Sequence, residues 1–144
     1  MSKRILLLHG PNLNLLGQRD ASIYGSMTLP ELERAVQARA SELDVEVECL
    51  QSNVEGELVN ALHDAQATCT GVIFNPGGYS HTSVALRDAV EAISIPTVEV
   101  HLSNIHARED FRKTSLTAQA ANAVISGFGI SGYLAAIKFF VDIE

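Results

Sequence analysis

The sequence predicts an α/β fold: a doubly wound, five-stranded parallel sheet of order 2-1-3-4-5 with helices on both faces. Three observations carry this expectation. Short apolar, strand-like runs alternate with segments of helical periodicity along the chain. Two of those runs, Ile5–Leu8 and Gly71–Phe74, are apolar without alternation, as strands covered on both faces are. Strands separated by helices require crossover connections, which make neighbouring strands parallel. With 144 residues and no repeat, low-complexity tract or linker, residues 1–144 are expected to form a single flavodoxin-like domain.

Each element has its own justification. Ile5–Leu8 is the first strand. Met27–Leu43 follows as an amphipathic helix, with Thr28 and Glu31 at capping-box spacing and Pro30 in the first turn, where a missing N–H costs nothing. VEVECLQ (Val45–Gln51) alternates with period two, as an edge or half-buried strand does. Glu55–Thr68 reads as a helix with Leu58, Leu62 and Ala65 on one face. GVIFN (Gly71–Asn75) is a buried strand ending on a polar residue. The loop PGGYSHTS leads to a helix from about Thr82 to Ala92, and Ile95–His101 is the fourth strand. A polar stretch, LSNIHAREDFRKTS, then runs through an alanine-rich segment, expected to be helical, to the strand Ala123–Ser126 and a last helix from Ile130 to about Asp142.

A formal net charge of −7 argues against the basic face that nucleic-acid binding needs. Cys49 and Cys69 form no C-x-x-C pattern and are expected to be two free, buried thiols in a reducing compartment. In MSKRILLLHGPNLN, asparagine and proline interrupt the apolar run too early for a signal peptide. Nor does the chain hold the ~18 consecutive apolar residues of a membrane helix. A cytoplasmic location is the expectation.

Ligands of open α/β sheets bind beyond the carboxyl ends of the strands at the switch point, here between strands 1 and 3. Polar residues gather at the three relevant strand ends. After strand 1 come Asn12, Asn14, Arg19 and Tyr24, and after strand 3 Asn75 and His81. Strand 4 closes with Glu99 and His101, two apart and so on the same face, followed by Ser103, Arg108 and Arg112. The segment HGPNLNLLGQRDASIYG (His9–Gly25) is long for a structureless connection, which marks it as functional. Taken singly, these residues have ordinary structural readings: Glu99–His101 suits a surface pair, and Arg108 with Asp110 a solvated helix face. His9, His63 and His106 are assigned to such readings. Convergence of three loops on one edge points to a small polar, anionic ligand. No histidine–carboxylate trio has the spacing of a zinc site, so neither metal nor cofactor is expected. GFGISG (Gly127–Gly132) has the form G-x-G-x-x-G, but only twelve residues follow it and no further strand with an acidic residue exists. Close helix–sheet packing explains its glycines better than a dinucleotide.

GPNLNLLGxR…YG, NPGGYSHTSVALRDA and VEVHLSNIHAREDFR, with the terminal GxGxxGY, resemble the type II 3-dehydroquinate dehydratases over essentially the whole chain. The resemblance implies elimination of water from 3-dehydroquinate to give 3-dehydroshikimate, in the shikimate pathway or in quinate breakdown, without a cofactor. It implies Tyr24 as the base, activated by Arg19, and His101 as the acid that protonates the departing hydroxyl, supported by Glu99. Asn12 helps stabilise the enolate. Asn75, His81, Asp88 and Arg112 contact the substrate, the backbone N–H groups of Leu102 and Ser103 hold its carboxylate, and Arg108 is a further candidate. It also implies a homododecamer built from trimers, in which Asp88 reaches a neighbouring subunit's site. A phenol ionises near pH ~10, so a tyrosine base at neutral pH needs a cation beside it. A lid carrying both Arg19 and Tyr24 would couple that activation to substrate capture.

The lid departs from the family's usual Arg-Glu-Pro: here it reads Arg19-Asp20-Ala21, and the lost proline should loosen it. Lys113 and Thr114 stand where the family often has histidines. Three alternatives stay open on the residues alone. A lysine Schiff-base dehydratase is disfavoured because Lys3, Lys113 and Lys138 all lie off the carboxyl edge of the sheet. A flavodoxin-like ligand-binding module would have lost turnover, and another lyase could act on a related polyhydroxy acid.

Overall fold

The computed structural model describes residues 3–143. β1 (Lys3–His9) leads through a 3-10 turn and a one-turn helix, α1 (Ala21–Tyr24), to α2 (Leu29–Glu42). β2 (Val45–Gln51), α3 (Glu55–Thr68), β3 (Gly71–Asn75), α4 (Val84–Ala92) and β4 (Thr97–His101) follow, then two 3-10 turns, β5 (Ala123–Ser126) and α5 (Ile130–Asp142). All strand pairs are parallel and the order is β2-β1-β3-β4-β5, the flavodoxin-like sheet that the pattern of runs predicted.

Burial explains the residue choice. β3 and β4 are buried at every position and β1 from Ile5 onward, whereas β2, at the edge, alternates. Along β1 successive side chains leave on opposite faces: Ile5 and Leu7 pack with Val36 and Ala40 of α2 and Ala136, Ile137 and Phe140 of α5. Leu6 and Leu8 pack with Leu58 and Leu62 of α3 and Leu86 and Val90 of α4. Each such large aliphatic contributes roughly 1.5–3 kcal/mol by leaving water. α2 starts with the anticipated capping box: Thr28 Oγ1 accepts from the Glu31 N–H and Glu31 Oε1 from the Thr28 N–H, each at 3.3 Å. Among the described residues, no helix is long and apolar enough to cross a membrane. Both cysteines are free; Cys69 is buried, whereas Cys49 is only half-buried.

One predicted element is corrected. The alanine-rich stretch before β5 is a chain of turns and not a helix. Its backbone donors are committed elsewhere: Leu116 N–H to the Ser80 carbonyl at 2.6 Å and Asn122 N–H to the Thr97 carbonyl at 2.8 Å. Helix nucleation is too costly for so short a segment to win against those partners. Several boundaries also move: β1 runs from Lys3 to His9 and α2 from Leu29 to Glu42. α4 starts at Val84 because Ser83 caps it, its Oγ accepting from Leu86 N–H at 2.9 Å. β4 starts at Thr97, where Asn122 Oδ1 accepts the Thr97 N–H at 2.9 Å.

Candidate active site

The cleft opens where the carboxyl ends of β1 and β3 run out into their loops, at the switch point of the sheet. Its walls are Pro11, Asn12 and Leu13 after β1; Asn75, Gly77, Gly78 and His81 after β3; and His101, Leu102, Ser103, Ile105, Arg108 and Arg112 from β4 onward. The excursion between β1 and α2 folds back to add Arg19 and Tyr24. Between them lies a cavity of about 110 Å³, partly open to solvent. Gly10 lets two of the loops meet, since a Cβ there would lie 2.3 Å from the Pro76 carbonyl oxygen. Asn12 takes φ +70, a left-handed conformation that asparagine tolerates. Its N–H donates to Asn53 Oδ1 at 3.0 Å, which also accepts from Gln51 Nε2 at 3.2 Å.

At the end of β4, His101 Nε2–H donates to Glu99 Oε2 at 2.7 Å, the two side chains being 6% and 1% exposed. Glu99 lies behind the histidine, outside the cleft wall. Its Oε2 also accepts from Ser115 Oγ at 2.7 Å, and its Oε1 accepts from Thr117 Oγ1. A buried carboxylate needs this many donors to offset its lost hydration. The pairing selects the imidazole tautomer: hydrogen sits on Nε2, leaving Nδ1 to exchange a proton with a ligand. The His81 ring stacks 6.4 Å from that of His101 at 23°. Its Nδ1–H donates to the Thr114 carbonyl at 2.8 Å. Burial holds the His81 pKa below the usual imidazole range, with the Thr114 carbonyl opposing that shift.

The lid is held differently. Asp20 caps α1, its Oδ1 accepting from Ser22 Oγ at 2.6 Å and from Ser22 N–H at 3.0 Å. These bonds, the hydroxyl's first, keep the Asp20 carboxyl below its ordinary value. Ala21 occupies the first helical position, where the family's proline would sit. The cap therefore supplies part of the constraint that the missing proline removes. The Arg19 guanidinium carbon lies 3.7 Å from the centroid of the Tyr24 ring. Arg108 reaches the same residue from β4's side, Nη2 donating to Tyr24 Oη at 2.8 Å and Nη1 to Ser103 Oγ at 3.3 Å. So the guanidinium on the hydroxyl belongs to Arg108, while Arg19 covers the ring. The solvated-helix-face reading of Arg108 is thereby overturned: its side chain is only 16% exposed.

The cleft thus assembles Asn12, Arg19, Tyr24, Asn75, His81, His101, Leu102, Ser103, Arg108 and Arg112. Asp88 is not among them; it stands on α4 with 67% of its side chain exposed, 3.6 Å from Arg87 Nη1. Asn14 is also outside, 3.5 Å from Gln51 Nε2. A family model described as dehydroquinase class II matches residues 3–141. The chain belongs to this family. It is 57% identical over 135 residues to a 3-dehydroquinate dehydratase of Pelotomaculum thermopropionicum, covering 94% of each chain. It is 55% identical over 143 residues to that of Corynebacterium glutamicum, covering 99% of this chain and 96% of the relative. The crystal structure of type II dehydroquinase from Propionibacterium acnes superposes with a TM-score of 0.95 at 38% identity, covering 99% of both chains.

Within this site, the sequence reading missed Ser115 and Thr117. They lie in KTSLT, where two hydroxyls two residues apart are the available signal, but only the fold reveals that Glu99 is their partner. Gln51 and Asn53, which seat the Asn12 loop, were likewise unmarked. The histidines set aside prove mostly ordinary: His63 and His106 are exposed. His9 is fully buried with Nε2 3.1 Å from Glu33 Oε2.

Proposed function

We propose that this chain is a 3-dehydroquinate dehydratase, a hydro-lyase that removes water from 3-dehydroquinate to give 3-dehydroshikimate, serving the shikimate pathway or quinate breakdown. Tyr24, as phenolate, takes the proton from the carbon beside the ketone. The released electron pair forms an enolate, which donors at Asn12 and its neighbours stabilise. The enolate then re-forms the ketone and expels the hydroxyl on the adjacent carbon, which leaves as water with a proton from His101. Return of a proton from Tyr24 to His101 resets both groups.

One observation carries this reading most directly: a tyrosine hydroxyl hydrogen-bonded by Arg108 and a carboxylate-backed histidine line the same cleft. A guanidinium is never deprotonated, so the Arg108 hydrogen bond puts a permanent positive charge beside the Tyr24 oxygen. Glu99 orients the His101 ring by accepting its Nε2–H, which leaves Nδ1 to carry the exchanged proton. Asn75, His81, Arg112 and the backbone of Leu102 and Ser103 hold the substrate, its carboxylate included. The whole chain acts as one catalytic domain in the cytoplasm, needs no cofactor, and assembles as a homododecamer of four trimers. In that assembly Asp88, exposed and outside its own cleft, serves a neighbour's.

Purified protein mixed with 3-dehydroquinate in the presence of chelator tests the reading by the ultraviolet absorbance of the conjugated product. A rise without added cofactor is expected. No rise from folded, oligomeric protein would sink it.

A further inference from the structure

Asn75 closes β3 with its side chain almost fully buried and both ends of its amide engaged. Oδ1 accepts the Gly77 N–H at 3.1 Å, and Nδ2 donates to Tyr133 Oη at 3.0 Å. A backbone N–H can only donate, so Gly77 determines which end of the amide is oxygen. The amide nitrogen carries two hydrogens and Tyr133 takes one. The second is left for the cleft that Asn75 lines. We infer that Tyr133 is a positioning residue of the dehydratase: by engaging Asn75 Nδ2 it aims the remaining N–H at an oxygen of the bound polyhydroxy acid. The inference rests on the dehydratase reading of this cleft.

The route by which Tyr133 arrives there also accounts for the glycines of GFGISG. A Cβ on Gly132 would lie 3.1 Å from Ile125 Cγ2 and 3.3 Å from Val100 Cγ1, both on the sheet. Its absence lets the first turn of α5 lie close on β4 and β5, and the next residue, Tyr133, enters the core fully buried. Such a site suits a phenylalanine for packing, and a phenol only where its oxygen finds a partner. Asn75 is that partner. Burial pushes the Tyr133 phenol's pKa up, so it stays neutral. A neutral hydroxyl accepts from Asn75 without adding charge beside the developing enolate.

Tyr133→Phe tests the inference, with Tyr133→Met as a second occupant lacking the hydroxyl. An amide held at one end only should raise KM about fivefold to tenfold with kcat within about twofold, the pattern of lost uniform binding. In an Asn75→Ala background, Tyr133→Phe should cost nothing further, because its effect runs through that amide. A purely structural tyrosine would lower Tm and leave KM alone. An unchanged KM, or losses that add to those of Asn75→Ala, would overturn the inference. Calorimetric titration with quinate, which resembles the substrate but does not react, supplies a readout independent of turnover and should weaken by the same factor. Wild-type protein without turnover would refute the dehydratase reading, and the quinate titration would still decide the role of Tyr133. If quinate too fails to bind wild type, both readings fall together.

Discussion

The two halves of the cleft are built in opposite ways. At the end of β4, the His101 side is part of the core: Glu99 and His101 are buried, and His101, Ser115 and Thr117 all donate to one carboxylate. The lid side has no buried residue in α1 and is held by its own cap and two arginines. Burial with several partners sets geometry at the level of global stability, whereas a segment with few buried contacts opens locally at small cost. In the proposed mechanism the acid, His101, is thus fixed when the chain folds, and the base, Tyr24, is placed by the lid. That division suits a reaction that must admit a polar substrate and then exclude water around a phenolate.

Removing the proposed base breaks this comparison most severely. Tyr24→Phe should lower kcat about a thousandfold while KM changes little, measured by product absorbance. Substantial residual activity would place the base elsewhere.

The two arginines sharpen the contrast next. Arg108→Gln removes the donor on the Tyr24 hydroxyl and should cost about a hundredfold in kcat, as loss of a charge-assisted hydrogen bond does. Arg19→Met removes a cation over the ring and should cost only about tenfold. Equal losses, or the reverse order, would show that Arg19 moves to the hydroxyl when substrate binds.

On the fixed side, Thr117→Val strips one donor from the buried Glu99 carboxylate. It should cost about 1–3 kcal/mol of stability, lowering Tm by several degrees, with a smaller loss of kcat. The lid variants above should leave Tm nearly unchanged. A Tm unaffected by Thr117→Val would mean that Glu99 does not depend on that hydroxyl.

The smallest effect concerns pH. Burial makes His81 harder to protonate in the folded protein than in the unfolded chain. The unfolded chain therefore binds the extra proton first, and stability is lost as pH falls below about 6.5. Denaturant unfolding at successive pH values should show that loss, and His81→Asn should flatten it. An unaltered profile in the variant would assign the pH dependence to another group.

Much of this molecule was legible in its sequence, for reasons that can be named. Unbroken apolar runs identified the doubly covered strands, and Thr28–Glu31 identified the start of α2, because both signals act within a few residues. The placement of polar residues after Leu8, Phe74 and Val100 located the cleft, because sheet topology dictates which strand ends meet. The lid could be recognised as unusual, yet not what held it. Arg108 lies 84 residues from Tyr24, and neither local pattern hinted at the other. The alanine-rich segment misled for the same reason: its helical composition was local, while the Ser80 and Thr97 carbonyls and the Glu99 carboxylate that claimed it were distant.

The sequence by itself determined the five strands and the helices α2 to α5, the parallel order of the sheet, the edge that carries the site, and the family. These depend on periodicity, capping and spacing, which the chain carries wherever it is. Only the tertiary structure decided which guanidinium meets the Tyr24 hydroxyl, which hydroxyls surround Glu99, and why a tyrosine follows GFGISG. Each of those is a match of donor to acceptor between remote segments. Such a match is enforced by the cost of leaving a buried polar group unpaired, and that cost exists only once the core has closed around it.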